Sequence, residues 1–357
     1  MRIVIQSSVL DNIFTSLQPF LDKKDSSQIT SHIYFETQNN KLICKATDFE
    51  IGLCTFTEQL EIQEQGIATV NGKQALDIIK RLKDGEVELY TNSENETLNI
   101  KQSKSSFKLQ MFNAQEFPIF PEYESLPKLE IDSSQLINSM KKIFPVIDVN
   151  NIKRELNGAA LVIKEYSYDF VASDTKRLAV INYNKATGGN VTLIFPKKSI
   201  TEIQKLFFDN IELYYSEKSV ILKSQNYVFF SHLINGTFPG YEKIIPKELK
   251  TQITIPKSKI IEGIKLINAI TNDVKITFRK NEILFESISQ DSSEAKTQID
   301  INIDIEEDIE IGFSSKHILD FLNSIDTAEF VIGLNETNAS VVLQSENFKT
   351  VIMPIIL

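Results

Sequence analysis

Arg2-Ile3-Val4-Ile5-Gln6-Ser7-Ser8-Val9-Leu10, running on into Ile13 and Leu17, is met twice more in the same chain. Leu129-Glu130-Ile131-Asp132-Ser133-Ser134-Gln135-Leu136 runs into Met140 and Phe144. Gln252-Ile253-Thr254-Ile255-Pro256-Lys257-Ser258-Lys259-Ile260 runs into Ile264 and Ile267. Each stretch alternates apolar and polar residues, crosses a polar turn, then spaces its apolar residues three and four apart. Alternation marks a half-buried strand, and the longer spacing marks one face of a helix. Ser8, Ser133 or Ser134, and Ser258 fall where a helix N-cap or first turn lies.

A second set of the same design follows within each unit. Ala68-Thr69-Val70-Asn71-Gly72-Lys73 precedes Leu76, Ile79 and Leu82; Thr192-Leu193-Ile194-Phe195-Pro196-Lys197 precedes Ile200, Ile203 and Leu206. Glu310-Ile311-Gly312-Phe313-Ser314-Ser315 precedes Ile318, Phe321, Leu322 and Ile325. Strand patterns come after each, at 87–90, 211–215 and 329–334. Repetition at a fixed period is the mark of a chain built from copies of one unit. The expected fold is therefore α+β, with three repeated domains at 1–126, 127–248 and 249–357, each holding two strand–helix–strands modules. Pro118, Pro121 and Pro127, then Pro239 and Pro246, mark the joins.

A chain of 357 residues is long enough for several cores, and its 42% hydrophobic content is that of a globular protein. No apolar run reaches the ~20 residues a membrane helix needs. Polar Gln6 to Ser8 break the apolar start too early for a signal peptide. Cys44 and Cys54, the only cysteines, read as free buried thiols, and a cytoplasmic address is expected.

The net charge of −10 argues by itself against nucleic acid as a partner. Its distribution argues the other way. Six helical windows, 8–24, 71–83, 133–144, 196–206, 256–267 and 315–325, hold 15 basic residues and 6 acidic ones. They carry +9 and leave −19 for the rest of the chain. The cations include Lys23, Lys24, Lys73, Lys80, Arg81, Lys83, Lys141, Lys142, Lys197, Lys198, Lys205, Lys257, Lys259, Lys265 and Lys316. A lysine-rich face on one helix is ordinary solvation. At equivalent places in three repeats it forms a common positive surface suited to sequence-independent phosphate contact, and no base-reading motif accompanies it.

Four further segments resemble the bacterial DNA polymerase III β-subunit family. Arg154-Glu155-Leu156-Asn157-Gly158 resembles its L-N-G segment, and Val171-Ala172-Ser173-Asp174-Thr175-Lys176-Arg177-Leu178-Ala179 its V-A-T-D-x-x-R-L-A motif. Gly236-Thr237-Phe238-Pro239-Gly240-Tyr241 resembles G-x-F-P-x-Y, and Val351-Ile352-Met353-Pro354-Ile355-Ile356-Leu357 the V-x-M-P-x-x-L ending. The resemblance implies the DNA-clamp fold, a head-to-tail homodimeric ring with helices inside and sheets outside, around double-stranded DNA. It implies a pocket for peptides of the polymerase III α subunit, the clamp loader, and other polymerases and repair proteins. Carried across by motif, that pocket comprises Leu156, Ser173, Thr175, Arg177, Leu178, Pro239, Ile244, Met353, Pro354, Ile355 and Leu357, with Arg177 offering a polar contact. Thr175 and Lys176 stand where the family often has Gly and His, and Ile356 where it has a basic residue, so peptide preference is expected to differ. His317 falls near the pocket by motif position. Lys24 and Asn150 fall near DNA-contacting positions of relatives. For subunit closure the resemblance points to Lys104 and Phe107 on one side, and to Ile270, Asp291 and Glu294 on the other.

Nothing in the sequence demands catalysis. His32, His232 and His317 lie outside metal-ligand spacings, and neither a phosphate-binding glycine loop nor a G-x-S-x-G elbow occurs. Asp48 and Asp174 occupy matching repeat positions, which favours a shared turn over a catalytic pair. The acidic run from Asp304 to Glu310 lacks the spacing of a calcium loop. The expected protein is a non-catalytic processivity factor without cofactor or membrane partner. A repeat-built scaffold unrelated to DNA and a hydrolase using carboxylate pairs are the rival readings; neither accounts for repeats, helix charge and C-terminus together.

Overall fold

Alternation along Arg2–Gln6 buries Ile3 and Ile5, and the strand passes without a turn into helix α1, Ser7–Leu17. The computed structural model describes residues 1–25, 27–129, 131–185, 187, 189–208, 210–288, 294–336 and 338–357. Five further helices follow: α2 (Gly72–Ile79), α3 (Ser133–Ile143), α4 (Lys197–Leu206), α5 (Lys257–Ile267) and α6 (Ser315–Ser324). All but α3 begin at the residue after a strand.

This direct entry changes how the helix starts are satisfied. Ser8, Ser133, Ser134 and Ser258 lie in the first turns of α1, α3 and α5, and the N-cap residues of α1, α5 and α6, which are Gln6, Pro256 and Ser314, give no side-chain bond. Instead the first helical N–H donates to a carbonyl just ahead of the neighbouring strand. Ser7 N–H reaches Gly85 O at 2.9 Å, Lys257 N–H reaches Ala328 O at 2.9 Å, and Ser315 N–H reaches Asn272 O at 2.8 Å. A donor that a helix leaves orphaned is thus paired by the fold itself. At α2 a side chain caps the helix, Asn71 accepting from Gln74 N–H at 3.1 Å.

The chain forms two contact units, Met1–Ser134 with Thr201–Leu233, and Gln135–Ile200 with Ile234–Leu357. The division runs through α3 and α4 because each unit contains an eight-stranded antiparallel sheet made from parts of two repeats. In the first unit its order is Lys128–Leu129, Glu212–Tyr215, Ser219–Lys223, Tyr227–His232, Ile51–Thr57, Lys41–Thr47, His32–Gln38, Ile67–Asn71. A five-stranded sheet accompanies it: Leu60–Glu64, Arg2–Gln6, Glu86–Asn92, Thr97–Gln102, Ser105–Gln110. Phe14, Phe20, Phe35 and Phe229 are fully buried between helix and sheet. Cys44 is buried and Cys54 half-buried; both are free, and burial pushes both thiols up, that of Cys54 to about 11.

The second unit repeats the plan. Its eight strands run Val191–Pro196, Gly158–Lys164, Ser167–Ser173, Arg177–Tyr183, Phe348–Ile352, Val341–Ser345, Glu329–Leu334, Thr251–Pro256. A four-stranded sheet holds Lys296–Asp300, Glu282–Ser287, Asp273–Phe278 and Ile309–Ser314. The seams of the two large sheets match bond for bond: His232 N–H donates to Glu50 O at 2.8 Å, and Met353 N–H to Lys176 O at 3.0 Å. Among the described residues no helix is long and apolar enough to cross a membrane.

Candidate functional site

Just before each seam strand the chain makes the same five-residue turn. Thr47 Oγ1 donates to Ile51 O at 2.8 Å, while Asp48 Oδ1 accepts from Glu50 and Ile51 N–H at 3.1 and 3.0 Å. In the second unit Ser173 Oγ donates to Arg177 O at 2.9 Å, and Asp174 Oδ1 accepts from Lys176 and Arg177 N–H at 3.0 and 2.9 Å. Asp48 and Asp174 are turn-builders, as their matching positions suggest. The third residue is left-handed in both turns, Phe49 at φ 72° and Thr175 at φ 73°. A β-branched side chain is strained there, which is the physical reason for glycine in that place.

The second turn forms the lip of a largely apolar cavity of about 380 Å³. Eight of the motif-derived residues line it: Leu156, Ser173, Thr175, Arg177, Leu178, Pro239, Ile244 and Met353. Lys153, Lys176, Phe238, Tyr241 and Val351 line it as well. Phe238, Tyr241 and Val351 stood inside the quoted motifs, but a buried aromatic or valine reads as core from sequence alone. The floor continues into a buried cluster with Ala160, Val171, Val180, Ile194 and Val342. The mouth carries exposed Lys153, Lys176, Ile244 and Met353.

Three motif-derived residues are not in the lining. Pro354 turns the chain away after Met353, and Ile355 N–H donates to Gly312 O at 2.8 Å. Ile234 makes the same bond to Ile194 O at 2.9 Å, so this is a contact of the repeat rather than of the cavity. Leu357 follows Ile355 onto Gly312. Arg177 lines the cavity, and two of its three guanidinium nitrogens, Nε and Nη2, are engaged by the protein itself. With a side chain only 2% exposed, it donates from Nε to Asp174 Oδ2 at 2.9 Å and from Nη2 to Pro145 O at 3.0 Å, and pairs with Asp320 Oδ2 at 2.8 Å. It ties the turn to α6 and to the segment after α3. His317 lies on α6 beside Arg177 and Asp320, half-buried, and burial lowers its pKa.

The helix cations divide by environment. Lys24, Lys73, Lys80, Arg81, Lys141, Lys198, Lys205 and Lys265 are exposed, as is Asn150 in the segment after α3. Lys205 pairs with Glu202 at 3.0 Å and half-buried Lys142 with Asp326 at 3.3 Å. Lys197 and Lys257 are held by main-chain carbonyls. Lys197 Nζ donates to Ile147 O at 2.8 Å and lies 4.8 Å from the Phe144 ring, and Lys257 Nζ donates to Ile325 O at 2.8 Å. Each stands at a helix start; Lys257 closes the end of α6 at its C-cap Ile325, and Lys197 the short turn Phe144–Val146 that follows α3. Lys259 is half-buried.

Lys104 sits exposed in the hairpin turn before the edge strand Ser105–Gln110, on which Phe107 is half-buried. Ile270 and Glu294 are exposed, and Asp291 lies outside the described residues. Among the described residues no group of three or more His, Cys, Asp or Glu could hold a metal ion. The acidic run ends in ion pairs, Asp308 with Arg279 at 3.2 Å and Glu310 with Lys275 at 3.9 Å.

Three family models match the chain in order: the N-terminal domain of the DNA polymerase III β subunit over residues 1–121, the central domain over 130–240 and the C-terminal domain over 242–356. The chain is 39% identical over 353 residues to the β sliding clamp of Helicobacter pylori strain J99, covering 96% of this chain and 94% of that one. The crystal structure of the H. pylori β clamp bound to a DNA ligase peptide superposes with a TM-score of 0.94 at 38% identity, over 100% of both chains. The sliding clamp of Bacillus subtilis, only 21% identical, shares the fold with a TM-score of 0.93 over 100% of this chain and 99% of that one. Matched through nearly its whole length by successive domains of one family, the chain belongs to the DNA polymerase III β subunits, the β sliding clamps.

Proposed function

We propose that two copies of this chain close head to tail into a ring around duplex DNA and act as a non-catalytic processivity factor. Three domains per copy, at 1–126, 127–248 and 249–357, are its building blocks. The observation that carries ring closure is a pair of unused edges. In both large sheets the seam joins equivalent strands, Tyr227–His232 to Ile51–Thr57 and Phe348–Ile352 to Arg177–Tyr183. The remaining members of those two sets are Ser105–Gln110 and Lys296–Asp300, each an edge strand. An edge presents unpaired N–H and C=O groups that a second chain can satisfy. Pairing Ser105–Gln110 of one copy with Lys296–Asp300 of the other repeats the seam between subunits, and uses the strand of Phe107 and the neighbourhood of Glu294. A seam made twice by one pair of surfaces closes a two-membered ring.

The exposed helix cations, Lys24, Lys73, Lys80, Arg81, Lys141, Lys198, Lys205 and Lys265 with Asn150, supply diffuse phosphate contact, so that topology rather than affinity retains the DNA. The apolar cavity takes short peptides of the polymerase III α subunit, the clamp loader, and other polymerases and repair proteins, with an apolar floor for the anchor side chain. The DNA ligase peptide on the H. pylori clamp is a partner of that kind. Work on bacterial duplex DNA gives the protein a cytoplasmic address.

Negative-stain imaging of the purified protein without DNA tests the reading. Closed two-subunit rings with a hole wide enough for duplex are expected. Compact particles without a hole, at concentrations where dimers form, would overturn it.

A further inference from the structure

A buried carboxylate stands directly behind one wall of the cavity. Asp169, on the strand Ser167–Ser173, is 4% exposed and faces Asn182 across the ladder. Its Oδ1 accepts from Asn182 Nδ2 at 2.6 Å, and its Oδ2 accepts from Lys164 Nζ at 2.8 Å and from the hydroxyl of Tyr241. Lys164 Nζ also lies 3.1 Å from the Tyr241 hydroxyl, pairs with Glu242 Oε1 at 3.2 Å and sits 5.4 Å from the Tyr241 ring centre. Burial, with Asp169 alongside, pushes the Tyr241 hydroxyl far up, so it remains a donor throughout the accessible pH range.

Such a cluster costs more than it contributes as packing. A carboxylate withdrawn from water loses its hydration, and an apolar pair of the same volume commonly serves a core as well or better. What the cluster adds is orientation. Tyr241 starts the short helical turn Tyr241–Lys243, and Phe238, Pro239, Tyr241 and Ile244 are all in the cavity lining. The Phe238 ring meets Tyr241 edge-on at 6.5 Å. The opposite wall, Leu178 and Val351, belongs to the sheet that also carries Asp169. The hydroxyl–carboxylate bond is therefore a strut between the sheet and the segment that faces it across the cavity.

We propose that Asp169, acting through Tyr241 and steadied by Lys164 and Asn182, is a positioning residue for peptide capture: it fixes the width of the cavity in which the anchor side chain is held. The inference rests on the peptide-pocket reading above. Pre-set walls spare a ligand the cost of ordering them, so a loosened strut is read as lost affinity.

The test uses the full chain and a fluorescein-labelled DNA ligase peptide of the kind bound to the H. pylori clamp, with Kd taken from anisotropy well below the melting temperature of every variant. Tyr241→Phe removes one oxygen and keeps the ring; Asp169→Leu keeps the approximate volume and removes both acceptor oxygens. Each is expected to raise Kd at least tenfold, and the double variant no further than the single ones, because both break one strut. A network that merely stabilises the fold lowers the melting temperature and leaves Kd of the folded protein unchanged. Kd within twofold of wild type in both variants, or additive losses in the double, would overturn the inference. Where Asp169→Leu does not fold, Tyr241→Phe alone decides between tenfold and twofold. A wild-type protein that binds no peptide would remove the pocket reading itself, and this inference with it.

Discussion

Replacing Arg177 with Met separates an anchor from a ligand contact. Methionine keeps the length of the stem and a comparable volume but removes three interactions at once: those to Asp174 at 2.9 Å, Asp320 at 2.8 Å and Pro145 O at 3.0 Å. Breaking a buried ion pair by deleting one partner costs about 3–5 kcal/mol, because the other charge is stranded. The stranded carboxylates here are 18% and 25% exposed, and water reaches them in part. The loss is therefore set at the lower end, about 3 kcal/mol. Equilibrium urea unfolding read through tyrosine emission suits a chain with ten tyrosines and no tryptophan. Peptide affinity of the folded variant should fall as well, since the Ser173–Arg177 turn is a lip of the cavity, but stability must fall with it. A variant within ~0.5 kcal/mol of wild type in stability, and defective only in peptide binding, would refute the anchor and restore Arg177 as a direct contact.

Thr175→Gly should stabilise the protein by up to about 1.5 kcal/mol, the ~1–2 kcal/mol of left-handed strain less the ~0.5–1 kcal/mol of extra backbone entropy a glycine loses on folding; destabilisation by thermal melting would show the turn to be unstrained. His32 is 3% exposed and stacked on Phe112 at 4.0 Å, and burial lowers its pKa to about 4 from 6.5. Its unfolded form holds more protons between those values, so stability is complete above pH 6.5 and falls as pH drops toward 4, by roughly 3 kcal/mol in all. His32→Phe should flatten that part of the urea-midpoint profile, and an unchanged profile would assign the acid loss elsewhere. Lys73→Ala with Lys141→Ala should cut the salt dependence of DNA association by a slope of about 1.8, whereas Lys197→Ala should lower stability and leave that slope unchanged, as measured by DNA binding across a salt series.

The repeats, the alternation of strand and helix, and the twin aspartate turns were legible because each rests on local pattern and occurs more than once. How the helix starts are satisfied was not legible, for a reason that local pattern does not contain: Gly85, Asn272 and Ala328 lie 78, 43 and 71 residues from the N–H groups they accept, at Ser7, Ser315 and Lys257. Arg177 and Lys197 carry the same lesson for function. A cation in a motif or on a helix looks available until the carbonyls of Pro145 and Ile147 come within 3.0 and 2.8 Å of it. Asp169 and Lys164 gave no signal, and Tyr241 only its place in a motif, since their association spans 77 residues and makes no recognisable spacing.

The first sheet shows why repeat symmetry alone does not locate the open cavity. Its seam is the counterpart of the one beside the pocket, with Gly52 opposite Phe230 where the second unit sets Leu178 opposite Val351. The Phe230 ring lies so close over Gly52 that an added Cβ would stand 2.2 Å from it, and Phe120 meets the same ring edge-on at 5.0 Å. Only about 180 Å³ remains there, against about 380 Å³ beside Leu178 and Val351. The backbone scaffold of a pocket is thus built twice, and in the first unit the protein's own aromatic residues fill it. Where strands, turns and seam bonds are shared, the difference between a filled core and an open site comes down to which strand carries the bulk. Phenylalanine on the last strand closes the space over a glycine, whereas valine there, facing leucine, leaves room for the side chain of another protein.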